Sequence, residues 1–375
     1  MSPEVARWLR WATIACAVGV LVGFVVLWPS GRDRGADPLG LGADPVRAEV
    51  TAVEQQPCST NPSTTCEVIS FELRQGSTTG TTGTIEQARS SRAAPGDGIQ
   101  VLPTELPDGE VVYSFYDFER SNPLLLLALL FVGAVVLLGR WRGVGALAGL
   151  VISLLIIVGF ALPSLADGNN AVAVALVTAA AVAIVALYLA HGVGPATDVA
   201  LISTLVSLAL TGLLAWAFVT SARFTGLTDD PAFLLDALGT GIDPRGIVLA
   251  GIVIGSLGVL DDVTVTQVAA VWELHATRPN TRPRQLFTRA LRIGRDHISS
   301  TVNTLFLAYA GASLPLLLLF SEAGQSVTSV VTREVVAVEV VRALVGSIGL
   351  VASVPISTWL ATRVITSTSL AQRVT

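Results

Sequence analysis

Two adjacent carboxylates, Asp261 and Asp262, lie within Gly255-Ser256-Leu257-Gly258-Val259-Leu260-Asp261-Asp262-Val263-Thr264-Val265-Thr266-Gln267, inside a long and mostly apolar run. A charge near the centre of a bilayer costs roughly 2.5–3.5 kcal/mol on insertion scales and more in simulations, so such residues usually face a protein interior or a wet cavity. Neighbouring carboxylates in a low dielectric do not both ionise readily, and the pair can hold one proton or bind a cation. Thr264, Thr266 and Gln267 offer hydroxyl and amide ligands beside them, and Asn303 offers another from the next span at a similar depth. The competing reading makes the aspartates neutral, hydrogen-bonded spacers that hold helices together. Interhelical hydrogen bonds contribute only about 0.6–2 kcal/mol each, a small return for two buried acids, so the functional reading is preferred.

Further polar positions surround this set. Asp296, Ser299, Ser300 and Asn303 recur at spacings of three and four and share one helical face. The fourth apolar run ends at His191 and the fifth begins at Asp198, two secondary polar positions at the membrane boundary; His191 reads as an interfacial residue. Ser203, Thr204, Ser207 and Thr211 line the fifth run. Gly251, Gly255, Gly258 and Asp262 also share a face, and small residues there let a neighbouring helix approach closely. That pattern predicts Asp262 in a tight helix–helix seam with Thr266 one turn away, and Asp261 about 100° around the helix.

Other chemistry is thin. No phosphate-binding loop, G-x-S-x-G or H-E-x-x-H is present, and His191, His275 and His297 have no metal-ligand spacing. An intramembrane aspartyl protease takes its carboxylates from two helices, whereas here both come from one and diverge. No enzyme activity, no cofactor and no metal is therefore expected. A net charge of −5 argues against nucleic acid as a partner.

The elements that must position these residues are membrane helices. Apolar residues make up 52% of the chain, charged ones only 14%, and mean hydropathy is +0.67, which excludes an ordinary soluble enzyme. Apolar runs at Trp11–Trp28 and at about 123–139, 144–166, 171–190, 199–219, 246–271, 298–320 and 338–360 predict eight spans. The first reads as an uncleaved anchor. Arg7, Arg10, Arg140, Arg142, Arg363, Arg373 and six arginines between 278 and 295 gather on one side; Arg223, Arg245, Arg333 and Arg342 fall toward the other. The positive-inside rule then puts both termini in the cytoplasm and residues 29–122 outside it.

That outer segment alternates apolar and polar residues around Val46–Ala52 and Ile69–Leu73, with shorter candidates at Ile85, Val101 and Val112. Five short strands predict a small barrel or open sheet of the OB-like kind. Cys58 and Cys66 fall there and suit a disulfide in an oxidising compartment, while Cys16 reads as a small hydrophobe of the anchor. Residues 59–65 and 76–83 read as polar loops. Between the fifth and sixth runs, Phe233, Leu234, Leu235, Ala237 and Leu238 suggest a short helix at the membrane surface. Residues 273–297 form a basic cytoplasmic loop with an apolar side at Phe287, Ala290, Leu291 and Ile293, suited to anionic headgroups or an acidic partner.

Three segments resemble the YibE/F-like family of bacterial multi-pass membrane proteins. They are Gly241-Ile242-Asp243-Pro244-Arg245-Gly246 through Gly255-Ser256-Leu257-Gly258 to Asp261-Asp262-Val263; Asp296 through Ser300-Thr301-Val302-Asn303-Thr304-Leu305 to Ser313-Leu314-Pro315-Leu316; and Tyr116-Asp117-Phe118-Glu119-Arg120 leading into Pro123. The resemblance implies a single acid in the sixth span, which Asp262 matches, and it implies architecture rather than an activity. The sequence thus predicts an all-α polytopic plasma-membrane protein: anchor helix 1–28, outer β domain 29–122, seven-helix membrane domain 123–362 and cytoplasmic tail 363–375. The expected function is a proton- or cation-coupled permease or exporter; the alternative is a non-transporting accessory or scaffold protein. Expected partners are the lipid bilayer, a small solute or ion, and a second copy or another protein.

Overall fold

The computed structural model describes residues 3–31, 44–59, 61, 63–75, 79–87, 92–106, 109–228, 233–234 and 241–371. The chain divides into two compact units, one of residues 33–134 and one of residues 1–32 with 135–375.

In the first unit, β1 (Val46–Pro57), β2 (Thr65–Leu73), β3 (Thr82–Gln87), β4 (Gly98–Glu105) and β5 (Val111–Phe118) form one antiparallel sheet in the order β3-β2-β1-β4-β5. Alternation sends Ala48, Val50, Ile69, Phe71, Leu73, Ile85, Ile99 and Val101 inward to a single core. Two strands lie between β2 and β5 in that order, yet Phe71 and Tyr113 meet edge to face with centroids 5.4 Å apart. The sheet therefore curls on itself in a barrel-like way, helped by a register shift between Val50 and Ala52. Cys58 and Cys66 are joined by a disulfide across the β1–β2 connection. The polar loops expected at 59–65 and 76–83 lie partly outside the described residues.

The second unit is helical. Its elements are α1 (Pro3–Val26), α2 (Ser121–Ile156, which starts within the other unit), a π turn (Ile157–Ala161), α3 (Leu162–Ala166), α4 (Ala171–His191), α5 (Pro195–Ser221), α6 (Pro244–Thr277), α7 (Pro283–Ala312), α8 (Leu314–Glu322), α9 (Val327–Val331) and α10 (Glu334–Ala371). Among the described residues, six helical stretches are long and apolar enough to cross a membrane, and α7 with α8, bent by 58°, makes a seventh if the pair is one span. The two runs expected at 123–139 and 144–166 form one helical stretch, Ser121–Ala166, broken at Arg140, whose φ of 52° and ψ of −132° are non-helical. Gly143 then packs against the Val135 carbonyl, where no side chain fits.

Two expectations change. The basic loop predicted over 273–297 is mostly helix: α6 runs to Thr277 and α7 starts at Pro283. Leu286, Ala290 and Gly294 recur every four residues on the buried side, while Arg284, Arg289, Arg292 and Arg295 are exposed, so the amphipathic stripe extends α7 instead of capping it. The tail predicted from 363 is likewise helical to Ala371. Of the short helix expected near Phe233, only residues 233–234 are described; Leu235, Ala237 and Leu238 lie outside the described residues.

The helix core centres on α6. Ile252, Val253, Ser256, Leu257, Leu260, Val263, Thr264, Gln267, Val268 and Val271 are buried at spacings of one, three and four, giving one broad face. That face joins a cluster with Ala179, Leu187, Leu201 and Leu208 from α4 and α5 and Leu350 and Val354 from α10. At the end where α6 and α10 begin, Glu334 accepts hydrogen bonds from Thr225 N at 2.6 Å, Thr225 Oγ1 at 2.9 Å and Gly226 N at 2.7 Å.

Candidate functional site

Position along α6 decides which way each candidate points. At about 100° per residue, the buried face centres near Leu260, and Asp262 falls on the opposite side. Gly251, Gly255, Gly258, Asp262 and Thr266 are all exposed. The tight seam predicted for this face is absent, because α4, α5 and α10 occupy the other side of α6. The glycines instead floor an open trough. A Cβ at Gly251 would lie 3.7 Å from Arg342 Nη2 of α10, one at Gly255 would lie 3.6 Å from the Tyr309 hydroxyl of α7, and one at Gly258 would meet nothing within 4 Å. Asp261 sits at the edge of the buried face; it is half-buried, and its Oδ1 is shielded from solvent without a hydrogen-bond partner.

The expected ligands separate in three directions. Thr264 is fully buried, and its hydroxyl meets that of Thr204 on α5 at 2.6 Å. Gln267 is buried in the seam with α7 and α10, where Nε2 donates to the Ala290 carbonyl at 2.9 Å and to Thr358 Oγ1 at 2.7 Å. Thr266 shares the exposed face with Asp262 and donates to the backbone carbonyls of Asp262 and Val263, at 2.8 and 3.1 Å. On α7, Leu286, Ala290, Gly294 and Leu305 mark the buried side, and Asp296, Ser299, Ser300 and Asn303 lie exposed away from it. Asp262 and Thr266 therefore share a surface with each other, whereas Thr264 and Gln267 knit α6 to its neighbours.

The secondary positions lie elsewhere. His191 is exposed at the end of α4, and Asp198, in the first turn of α5, accepts a 2.5 Å hydrogen bond from the Tyr188 hydroxyl. Ser203, Thr204, Ser207 and Thr211 are all buried on α5; the hydroxyls of Ser203 and Thr211 bond the carbonyls four residues earlier, at 2.7 and 2.8 Å.

One polar group escaped the sequence reading. Glu339 and Arg342, one turn apart on α10, form an ion pair in which Nη1 meets Oε1 at 2.7 Å and Oε2 at 3.0 Å. Arg342 Nε is buried with no partner. One turn along α10, a Cβ at Gly346 would lie 3.4 Å from Ser256 Oγ of α6 and 3.5 Å from Leu305 of α7, so the three helices converge there. Arg342, Tyr309, Gly251 and Gly255 stand together on the Glu334 side of that crossing. The available signal is two charges three residues apart at the start of the apolar run 338–360, a position where arginine also suits a membrane boundary.

Among the described residues, Cys58, Cys66 and Glu86 make the one acidic or thiol cluster close enough to hold a metal, and its two sulfurs are bonded to each other. Residues 127–367 match the family described as YibE/F-like protein. No match is found among curated proteins or among solved structures.

Proposed function

The chain belongs to the YibE/F-like family, and on that footing we propose that it is a plasma-membrane permease or exporter, coupled to protons or cations, with Asp261 and Asp262 as the coupling acids. In this reading the chain crosses the membrane eight times, the stretch Ser121–Ala166 dividing at Arg140 and α7 with α8 serving as one bent span. The arginine distribution supports placing both termini in the cytoplasm and the β unit outside.

The observation that carries the reading is the exposure of Asp262 on a glycine-floored face of a buried apolar helix. A carboxylate left unpacked at that depth is costly unless water or a mobile ion reaches it. Asp261, with an unpartnered buried oxygen beside it, supplies a second place for a proton. The test is proton flux into liposomes that carry the purified full-length protein and an entrapped pH dye, after an imposed pH step. Wild type conducts above the empty-liposome rate, and Asp262→Asn lowers that flux at least about tenfold, the effect of roughly 1.4 kcal/mol. Equal flux from wild type and Asp262→Asn defeats the reading.

The second reading is a scaffold, and Gln267 with the Thr204–Thr264 pair favours it, since these polar groups serve helix packing and not the acids. Its partners would bind the β unit or the arginine-bearing turns of α7. Loss of a co-purifying partner on replacing Arg284, Arg289, Arg292 and Arg295, with no flux from wild type, selects it.

A further inference from the structure

We propose that Arg342, together with Tyr309 and the glycine floor at Gly251 and Gly255, is the recognition site for a small oxyanion, such as the carboxylate or phosphate group of the carried solute. The assignment rests on the permease reading for its purpose but on separate residues for its chemistry.

The guanidinium is only partly used. Glu339 occupies Nη1 with both oxygens, Nε has no partner, and Nη2 lies 3.7 Å from where a Cβ on Gly251 would stand. The Nε–Nη2 edge of an arginine presents two parallel donors that match a carboxylate or phosphate, and the match is geometric as well as electrostatic. An unmet buried donor is costly, which makes that edge receptive to an acceptor. The Arg342 side chain is 27% exposed while its Nε is shielded, so solute reaches part of the side chain first and Nε only after a local side-chain adjustment.

The surroundings fit an anion of small size. With glycine at 251 and 255, the space that a Cβ would take stays free, 3.7 Å from Arg342 Nη2 and 3.6 Å from the Tyr309 hydroxyl. The Tyr309 hydroxyl over Gly255 provides a further donor at the same level. Glu339 acts as an internal stand-in for the ligand: it holds Arg342 in place when the site is empty and competes with an incoming oxyanion. From Gly251 the open face continues past Gly258 to Asp262, about 16 Å further along the helix axis. Anion recognition and proton handling therefore lie on one face of α6.

The test uses the purified full-length protein in detergent, titrated with sodium acetate or inorganic phosphate against sodium chloride at constant ionic strength, with thermal midpoint and heat of binding as readouts. Wild type shows a saturable response to the oxyanions and none to chloride. Arg342→Gln abolishes it, Arg342→Lys keeps a weakened response because one compact ammonium replaces the fork, and Glu339→Gln tightens the apparent affinity up to about fivefold, the scale of an exposed ion pair. Gly251→Val leaves Arg342 in place and blocks the response, which keeps the proposal open to refutation if Arg342→Gln fails to fold. No response from wild type, or an undiminished one in Arg342→Gln or Gly251→Val, overturns the site. An anion response that survives in Asp262→Asn protein, with no flux from wild type, sustains the site while the permease reading falls. Intact proton flux with no anion response does the reverse.

Discussion

Thr204 Oγ1 and Thr264 Oγ1 lie 2.6 Å apart, both fully buried, and join α5 to α6 about one turn from Asp261. Thr264 also reaches the Asp261 carbonyl at 3.0 Å, so the pair fixes the backbone that carries the acids. Thr264→Val leaves the Thr204 hydroxyl short of a partner and costs about 1 kcal/mol, Thr204→Val costs less because the Thr264 hydroxyl keeps the Asp261 carbonyl, and the double replacement recovers most of the Thr264→Val loss. A double-mutant cycle on unfolding in detergent measures the coupling, and strictly additive losses would contradict the bond.

Asp262→Asn should leave stability within about 0.5 kcal/mol of wild type, since the side chain is exposed and its packing is unchanged. The same variant should lose proton flux. A large drop in thermal midpoint or membrane abundance would show instead that the carboxylate supports the bundle.

Gln267→Leu should destabilise the helical unit by about 1–3 kcal/mol. It removes donors to Ala290 and Thr358 and puts a branched chain against Gly294, where a Cβ would already meet Gln267 Oε1 at 2.7 Å. Chemical unfolding in detergent gives the value, and a neutral result would mean that the three-helix seam relaxes freely.

The disulfide between Cys58 and Cys66 closes a loop with a sequence separation of 8. Loop-closure entropy gives it about 2.5 kcal/mol of stabilisation for the β unit. Cys58→Ser with Cys66→Ser in the full-length protein should speed proteolysis around residues 59–65 without altering the helical unit. Unchanged cleavage would show that the strands alone hold the connection.

Acid should loosen the end of β5. The Arg120 guanidinium hydrogen-bonded to Asp117, with the Phe118 N–H donating to the same carboxylate, holds Asp117 below the usual carboxylate range. Ser121 and Gln100 do the same for Glu119. A carboxyl with a depressed folded-state value adds stability that is full above about pH 4 and is lost as pH falls through that depressed value. Arg120→Ala should therefore move the acid transition of the β unit to higher pH, followed by the protease sensitivity of residues 109–118 in the full chain. A transition that stays in place would remove Asp117 from the account.

The strands and most helices were legible because period-two and unbroken apolar runs carry local information that needs no partner. Ile69, Phe71 and Leu73 are buried as their alternation requires, and α4 and α5 fall within a few residues of their apolar runs. Direction around α6 was harder. Glycine spacing shows that Gly251, Gly255, Gly258 and Asp262 share a face, but whether a neighbour fills it depends on where α4, α5 and α10 dock, which is tertiary information. Gln267 looked like a ligand of the acids from its distance in sequence, yet its amide points into another seam. The arginines between 284 and 295 suggested a loop because charge outweighed the four-residue recurrence of Leu286, Ala290 and Gly294. Arg342 and Glu339 lie near the start of an apolar run, where charge ordinarily marks a membrane boundary, so their pairing along α10 is not legible from composition.

Glu334 fastens the first turn of α10 to the backbone at Thr225 and Gly226, just beyond α5. That clamp ties the start of α10 to the segment after α5, about two turns before Arg342. The opposite wall of the trough carries the 58° break between α7 and α8, about one turn past Tyr309, and a hinge for a change in aperture is expected there. Tightening that hinge, for instance with a cross-link from α8 to α10, should freeze the aperture while leaving Arg342 and Glu339 undisturbed.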